Sequence, residues 1–373
     1  MSVKPVQPQP QAPESRHSLS RRRKLAFVVT AFVAVVALSA LGITALDVYL
    51  HHRVQYAGGV NVWGYRGDVV GRKKAGETRI IVLGGSTAFG YGLTWNQSWP
   101  YYLEQKIASG HQLPGTVRVV NLGIPTDSAR TFVATLNDYE YLKADVALFY
   151  EGYNDLGLDV SPAKNTTNPA VSHYLAWRHQ SPIFRWTGYF PIFPLVLNEK
   201  ASLLLHGRVG PPGGNGGDVV FRPDLATRAT AEAMKEAADI GVTLERRLGK
   251  LTNTTAEKSQ REEAGCGRWS LYCGAVQEAV EHAIAHRQLA VVITQPFVSD
   301  LHIEQQRALA DMMHRRFANE PRVRYVDLGR LIDLRDPAIA YDGLHLVASG
   351  NERIANTLVS DVVELIRAQG PRS

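Results

Sequence analysis

Four short polar clusters hold the residue types that acyl transfer needs. They are Gly84-Gly85-Ser86-Thr87, Asn121-Leu122-Gly123, Glu151-Gly152-Tyr153-Asn154-Asp155 and Asp342-Gly343-Leu344-His345. A serine hydroxyl such as that of Ser86 is a weak nucleophile until a base takes its proton, and the imidazole of His345 can be that base. Asp342, three residues before it, is close enough to orient the ring and stabilise its protonated form. Attack on an acyl carbon builds an oxyanion, which needs fixed donors. The backbone N–H groups of Ser86 and Gly123 and the side-chain amide of Asn154 are the candidates, and a glycine at 123 lets backbone approach a substrate closely. Asp155 is read as structural, supporting the loop around Asn154. Taken singly, each cluster has a bland reading as a strand-end turn, an Asn/Asp turn or a helix cap. Occurring together, in order and each beside an expected strand, they point to catalysis.

The elements that must carry these residues are short apolar runs, at 79–85, 117–123, 145–152, 289–296 and 323–329. They are continuous in Val, Ile and Leu rather than alternating, as in parallel strands covered on both faces. Helical patterns lie between them, over 98–110, 224–250 and 274–288. A further helical pattern follows His345, in "ASGNERIANTLVSDVVELIRAQ". Pro100 suits a first helical turn and Gly110 a stop. The alternation predicts an open α/β sheet. In such a sheet, sites form outside the carboxyl ends of the strands; three clusters fall directly there and the fourth follows the last run after an intervening segment. Strand order is not readable at this level.

Residues 156–223 break the rhythm with Pro, Gly and aromatic residues. They belong to an insertion expected over about 156–260, after the third strand. Its aromatic stretch, 174–196, can be a packed satellite core, a membrane-interface contact or a lid; packing is preferred because aromatics dominate cores by area.

The N-terminal region is organised differently. Residues 1–24 read as a disordered tail ending in the basic run Arg21-Arg22-Arg23-Lys24. From Leu25 to Leu46 no residue is charged, and a helix of that length spans about 33 Å, close to a bilayer's hydrocarbon core. A transmembrane helix is expected over 25–46, a linker over 47–75 and the catalytic domain over 76–373. The basic run before the helix places the N-terminus in the cytoplasm and the domain outside it. The competing reading is a cleaved signal peptide, whose apolar core is usually shorter, at about 7–15 residues. Under both readings the domain is exported. Cys266 and Cys273, the two cysteines of the chain, then read as a small disulfide loop, which an oxidising compartment preserves.

Several function classes are excluded. The net charge of +6 is partly the local run at 21–24, and no basic patch with interleaved aromatics follows, so no nucleic-acid partner is expected. G-x-G-x-x-G is absent at the first strand and G-x-x-x-x-G-K-[ST] from the chain, which removes a phosphate cradle. The pair His51–His52 has no further ligands nearby and H-E-x-x-H is absent, so no metal or other cofactor is expected.

The blocks "GGSTAFG", "NLG", "GYND" and "DGLH", in that order, resemble the four blocks of the SGNH, or GDSL-like, hydrolases. The Ser, Gly, Asn and His of that name fall on Ser86, Gly123, Asn154 and His345, with Asp342 in the place of the triad aspartate. The resemblance covers about 78–155 and 289–368. It implies a three-layer α/β/α fold with a flavodoxin-like parallel sheet, and metal-free cleavage of acyl esters. Gly85 stands where the GDS form has aspartate. The long gap between Asn154 and Asp342 leaves the insertion to shape the pocket. Expected substrates are short acyl esters, such as O-acetyl groups on envelope or extracellular polysaccharide, with lipid esters next. An O-acyltransferase using the same triad and a non-catalytic envelope-binding protein are the rivals. Oligomeric state is not legible.

Overall fold

The structure, a computed structural model, describes residues 20–56, 58–110, 112–125, 127–156, 181–206 and 265–369. Residues 1–19 of the expected tail, the helix expected over 224–250 and most of the 156–260 insertion lie outside the described residues. The chain forms two compact units, one as far as Leu46 and one from Asp47 onward. The first holds helix α1 (Arg21–Val54) up to Leu46. It is long and apolar enough to cross a membrane.

In the second unit, five described strands form one wholly parallel sheet: β1 (Glu77–Gly84), β2 (Thr116–Asn121), β3 (Val146–Tyr150), β4 (Leu289–Ile293) and β5 (Val323–Val326). Their spatial order is β2-β1-β3-β4-β5, the flavodoxin-like order in which the chain reverses beside β1. All five apolar runs of the sequence became strands. β3 and β4 are buried along their whole length, which is why they carry no polar alternation.

Side chains of each strand alternate between two cores. Ile81, Leu83, Ala147, Phe149, Ala290 and Val292 face one, with helices α4 (Phe132–Asp138), α7 (Ser270–Ala285) and α8 (Asp300–Phe317). Ile80, Val82, Val146, Leu148, Val291 and Ile293 face the other, with α3 (Trp99–Ser109) and α9 (Ala348–Ala368). Each buried Val, Leu or Ile side chain contributes about 1.5–3 kcal/mol, so the two apolar layers hold the strand ends rigidly.

The helix expected at 274–288 shifts toward the N-terminus. The pattern at 274–288 is a helix from Ser270 to Ala285. It begins earlier because a 3-10 turn, Gly267–Trp269, feeds into it, and the Cys266–Cys273 disulfide closes that turn. It ends earlier because Arg287 takes a left-handed conformation (φ 62°), with Gln288 N–H donating to Ala283 O.

Residues 47–75, expected to be a linker, belong to the second compact unit. Asp47, His51, Val54, Val60, Asn61, Tyr65 and Arg66 are buried. Asp47 accepts the N–H groups of Ile192 and Phe193 and the hydroxyl of Tyr189, joining the end of α1 to the start of α6 (Phe193–His206). Both His51 ring nitrogens face carbonyls, Val60 O at 2.9 Å and Phe190 O at 2.7 Å. Arg66 lies over the Phe89 ring at 4.1 Å, and its N–H donates to Asn121 O at the end of β2. The polar residues that suggested a solvated segment are the ones that find partners. In the aromatic stretch, Phe184, Phe190 and Ile192 are buried in the first core, as packing predicts, while Trp186 is 90% exposed. Phe184 lies in the short helix α5 (Pro182–Thr187).

One side chain ties α3, α9 and the loop before α9 together. Asn351 Oδ1 accepts Trp99 N–H at 3.0 Å, and its Nδ2 lies 3.2 Å from Leu346 O and 3.1 Å from Val347 O. Asn351→Ala would leave these buried groups unpaired and should lower stability by about 2–3 kcal/mol. Denaturant unfolding in detergent checks this.

Candidate active site

β1 ends at Gly84, Gly85 follows, and Ser86 is the first residue of the four-residue helix α2 (Ser86–Phe89). Neither glycine has a positive φ; the need is for space. A Cβ on Gly84 would stand 2.2 Å from Tyr150 O, and one on Gly85 would stand 2.3 Å from Asn154 Nδ2 and 2.4 Å from Glu151 Oε2. In the register, Gly84 pairs with Tyr150, so the ends of β1 and β3 are pressed together without side chains between them. As the first residue of a helix, Ser86 has an N–H that the helix's own ladder does not use.

His345 comes from the loop before α9, 259 residues further along the chain. That loop is a tight turn, with Tyr341 N–H donating to His345 O and a bridge between Ala340 and Leu346. Asp342 Oδ1 accepts the N–H groups of Leu344 (2.9 Å) and His345 (2.6 Å), so the carboxylate shapes the turn that presents the imidazole. Its other oxygen, Oδ2, lies 2.8 Å from His345 Nδ1, and His345 Nε2 lies 2.8 Å from Ser86 Oγ. An ionised carboxylate only accepts, so Nδ1 carries the proton and Nε2 is left to accept the Ser86 hydroxyl. Burial pushes the Asp342 carboxyl up, but the bond and charge of His345 and the two backbone N–H groups outweigh it and hold it below its ordinary value. His345 is buried, and the rings of Tyr91 and Tyr341 flank it at 5.6 and 6.1 Å.

The two remaining candidates flank the segment around Ser86 from different strands. Asn154 follows β3, in a 3-10 turn from Tyr153 to Asp155. Its Nδ2 donates to Asp127 O at 2.7 Å, which uses one of the two amide hydrogens. Gly123 sits against the Ala88–Phe89 backbone, and its N–H donates to Asn121 Oδ1 at 3.0 Å. Ser86, His345 and Asp342 therefore form one hydrogen-bonded chain. Asn154 packs against Gly85, and Gly123 packs against the Ala88–Phe89 part of α2 with its N–H engaged. Asp155 Oδ2 accepts Ala129 N–H at 3.1 Å and so braces the segment after β2.

Two polar residues at the sheet edge were given no role by the sequence reading. Gln295, after β4, donates from Nε2 to Thr87 Oγ1 at 2.8 Å and accepts Tyr153 N–H at 2.8 Å, joining α2 to the Asn154 loop. Glu151, after β3, is buried and accepts the N–H groups of Gly152 (3.0 Å) and Asn154 (3.2 Å). Both sit just past a buried strand, so the rule that picked Ser86 and Asn154 applies equally to them.

The crowding makes a direct prediction. Gly85→Ala should displace Asn154 and Glu151 and lower stability by about 1–3 kcal/mol, as overpacking does. Thermal unfolding against the wild type checks this; an unchanged midpoint would mean that the two strand ends have room to spare.

The model of the GDSL-like lipase/acylhydrolase family matches residues 82–353. No curated protein matches the chain. Among solved structures it is similar to a family 3 carbohydrate esterase from Clostridium thermocellum, at 11% identity and a TM-score of 0.42, covering 79% of this chain and 100% of that one. It is also similar to a lipase/acylhydrolase from Enterococcus faecalis, at 13% identity and a TM-score of 0.40, covering 77% and 96%. A variant of an acetyl-xylooligosaccharide esterase from Geobacillus Stearmophilus shows 12% identity and a TM-score of 0.39, covering 76% and 94%.

Proposed function

The chain belongs to the GDSL-like lipase/acylhydrolase family and is an ester hydrolase, and from that premise we propose that Ser86, His345 and Asp342 carry the reaction through an acyl-enzyme. The observation that carries this reading is the His345 ring, which lies 2.8 Å from Ser86 Oγ on one side and 2.8 Å from Asp342 Oδ2 on the other. His345 Nε2 takes the hydroxyl proton as Ser86 Oγ attacks the ester carbonyl carbon. Asp342 stabilises the imidazolium that results and is not itself protonated. The oxyanion is met by Ser86 N–H and the second amide hydrogen of Asn154. Gly123 N–H joins them when the oxyanion displaces Asn121 Oδ1. Collapse expels the alcohol, which takes the proton from Nε2. Water then gives a proton to Nε2 and attacks the acyl carbon; collapse releases the acid and Ser86 Oγ takes the proton back from Nε2.

The substrate reading follows from place. The helix over 25–46 holds the domain at a membrane, with the N-terminus in the cytoplasm and the site outside it. The esters within reach there are O-acetyl groups on envelope polysaccharide, and then lipid esters. The Tyr91 and Tyr341 rings beside His345 supply flat apolar surface against which a sugar ring can lie.

Full-length protein in detergent should release acetate from an acetylated oligosaccharide. Ser86→Ala should reduce release to background. Asn154→Ala should lower kcat by about 10²–10³, the cost of one oxyanion donor. Undiminished release by Ser86→Ala would remove the nucleophile assignment. Acylated acceptor exceeding free acetate would make the enzyme a transferase with the same triad.

A further inference from the structure

The mechanism above makes no use of the Glu151 carboxyl, which lies against the residue before Ser86. Glu151 is 3% exposed. Its Oε1 accepts two backbone N–H groups of the Asn154 loop, those of Gly152 and Asn154 itself. Its Oε2 makes no well-formed hydrogen bond. That oxygen faces the Gly85 backbone, whose N–H pulls on it, 2.4 Å from where a Cβ of Gly85 would stand. The space a side chain on residue 85 would fill is thus taken by a carboxyl reaching across from β3. The main chain of the same residue is pinned as well, since Tyr272 on α7 donates its hydroxyl to Glu151 O at 2.7 Å.

We propose that Glu151 is a positioning residue: its carboxyl, as the neutral acid, sets the Asn154 loop against the Gly85–Ser86 peptide, so that the Ser86 N–H and the Asn154 amide converge on one oxyanion. The proposal rests on the reading of Ser86 and Asn154 given above. Oε1 already accepts two N–H groups, so the proton of the neutral acid sits on Oε2, the oxygen without a well-formed bond. An anion at Oε2 would lie behind the peptide that has to stabilise a developing negative charge, and would oppose it.

Burial is the main influence on this acid, and the nearby Asp127 adds to it. Together they outweigh the backbone N–H groups and push Glu151 up to about 8. The other titratable groups around it are Asp155, Tyr150, Tyr153 and Tyr272. Burial and the neighbouring charges push these three phenols far above their ordinary value. His302, packed on Tyr153, is pushed down to about 3 and stays neutral. Raising the pH through about 8 therefore ionises Glu151 and leaves the phenols and His302 neutral. The sign for stability is fixed by the same shift. An acid raised on folding makes the native state bind the extra proton, so stability falls as pH rises from about 4.5, the ordinary glutamate range, to about 8.

The test uses the full-length protein in detergent with 4-nitrophenyl acetate as probe, and compares wild type, Glu151→Ala and Glu151→Gln. Glu151→Ala should lower kcat by about 10–100-fold with KM within about twofold, since only transition-state stabilisation is lost. Glu151→Gln, a permanent neutral isostere, should recover most of that loss and should lack the alkaline fall in kcat that wild type shows near pH 8. Amide exchange at Gly152 and Asn154, read by mass spectrometry, should rise in Glu151→Ala and stay near wild type in Glu151→Gln. The exchange arm does not need turnover. A wild type without esterase activity would count against the Ser86 reading, while exchange would still decide whether Glu151 positions the loop. Unchanged exchange in Glu151→Ala would overturn the proposal. So would an alkaline limb near pH 8 that persists in Glu151→Gln, including where the alanine variant fails to fold.

Discussion

The close approach of β1 and β3 at their carboxyl ends, where Gly84 pairs with Tyr150 and Gly85 lies under Glu151 and Asn154, constrains every other part of the site. A Cβ at Gly84 or Gly85 would stand 2.2–2.4 Å from Tyr150 O, Asn154 Nδ2 or Glu151 Oε2, so these two positions have room only for glycine. The dihedral angles of the pair show that proximity, not turn geometry, selects it. The result is a serine on the first residue of a short helix, with the loop after β3 pressed against the peptide before it. Because the two strands are buried on both faces, neither end can relax to admit an extra methyl group.

Polar groups brought into so dry a place have to be paired, and the pairing assembles the site from distant pieces of chain. Gln295 after β4 joins the Thr87 hydroxyl to the Tyr153 N–H. Asp155 and Asp127 hold the segment after β2. Asp342 uses one oxygen to shape its own turn and the other to hold the imidazole. Asn351 fixes the start of the following helix to α3. Each unpaired partner would carry a desolvation cost of order 1–3 kcal/mol. The same bonds that satisfy this cost restrict the motion of Ser86 and His345, so preorganisation and stability are one property of this sheet edge.

Much of this arrangement is legible before any coordinates. The five apolar runs give the five strands, and Ser86 and Asn154 stand just past two of them, while His345 follows the last run only after an intervening segment. The Cys266–Cys273 loop is likewise bonded. What escaped the sequence has a common cause. Residues 47–75 are polar and Gly-containing, so they look like a linker. Their burial depends on partners such as Ile192, Phe190 and Asn121 that are far away in the chain. Glu151 escaped for the same reason, since a carboxyl in an apolar run is explained only by the glycine opposite it, 66 positions earlier. The engaged N–H of Gly123 depends on the rotamer of Asn121, which no pattern encodes.

The central claim is that the glycine-flanked hydroxyl at the end of β1 is an activated nucleophile, made so by His345. Treatment of the full-length protein in detergent with a fluorophosphonate probe tests it without any choice of substrate, because the reagent phosphonylates activated serines. Mass spectrometry should find one adduct, on the peptide carrying Ser86, and the adduct should vanish in His345→Ala with the protein still folded. A folded wild type that takes no label, or a label on Ser86 that persists without His345, would contradict the account.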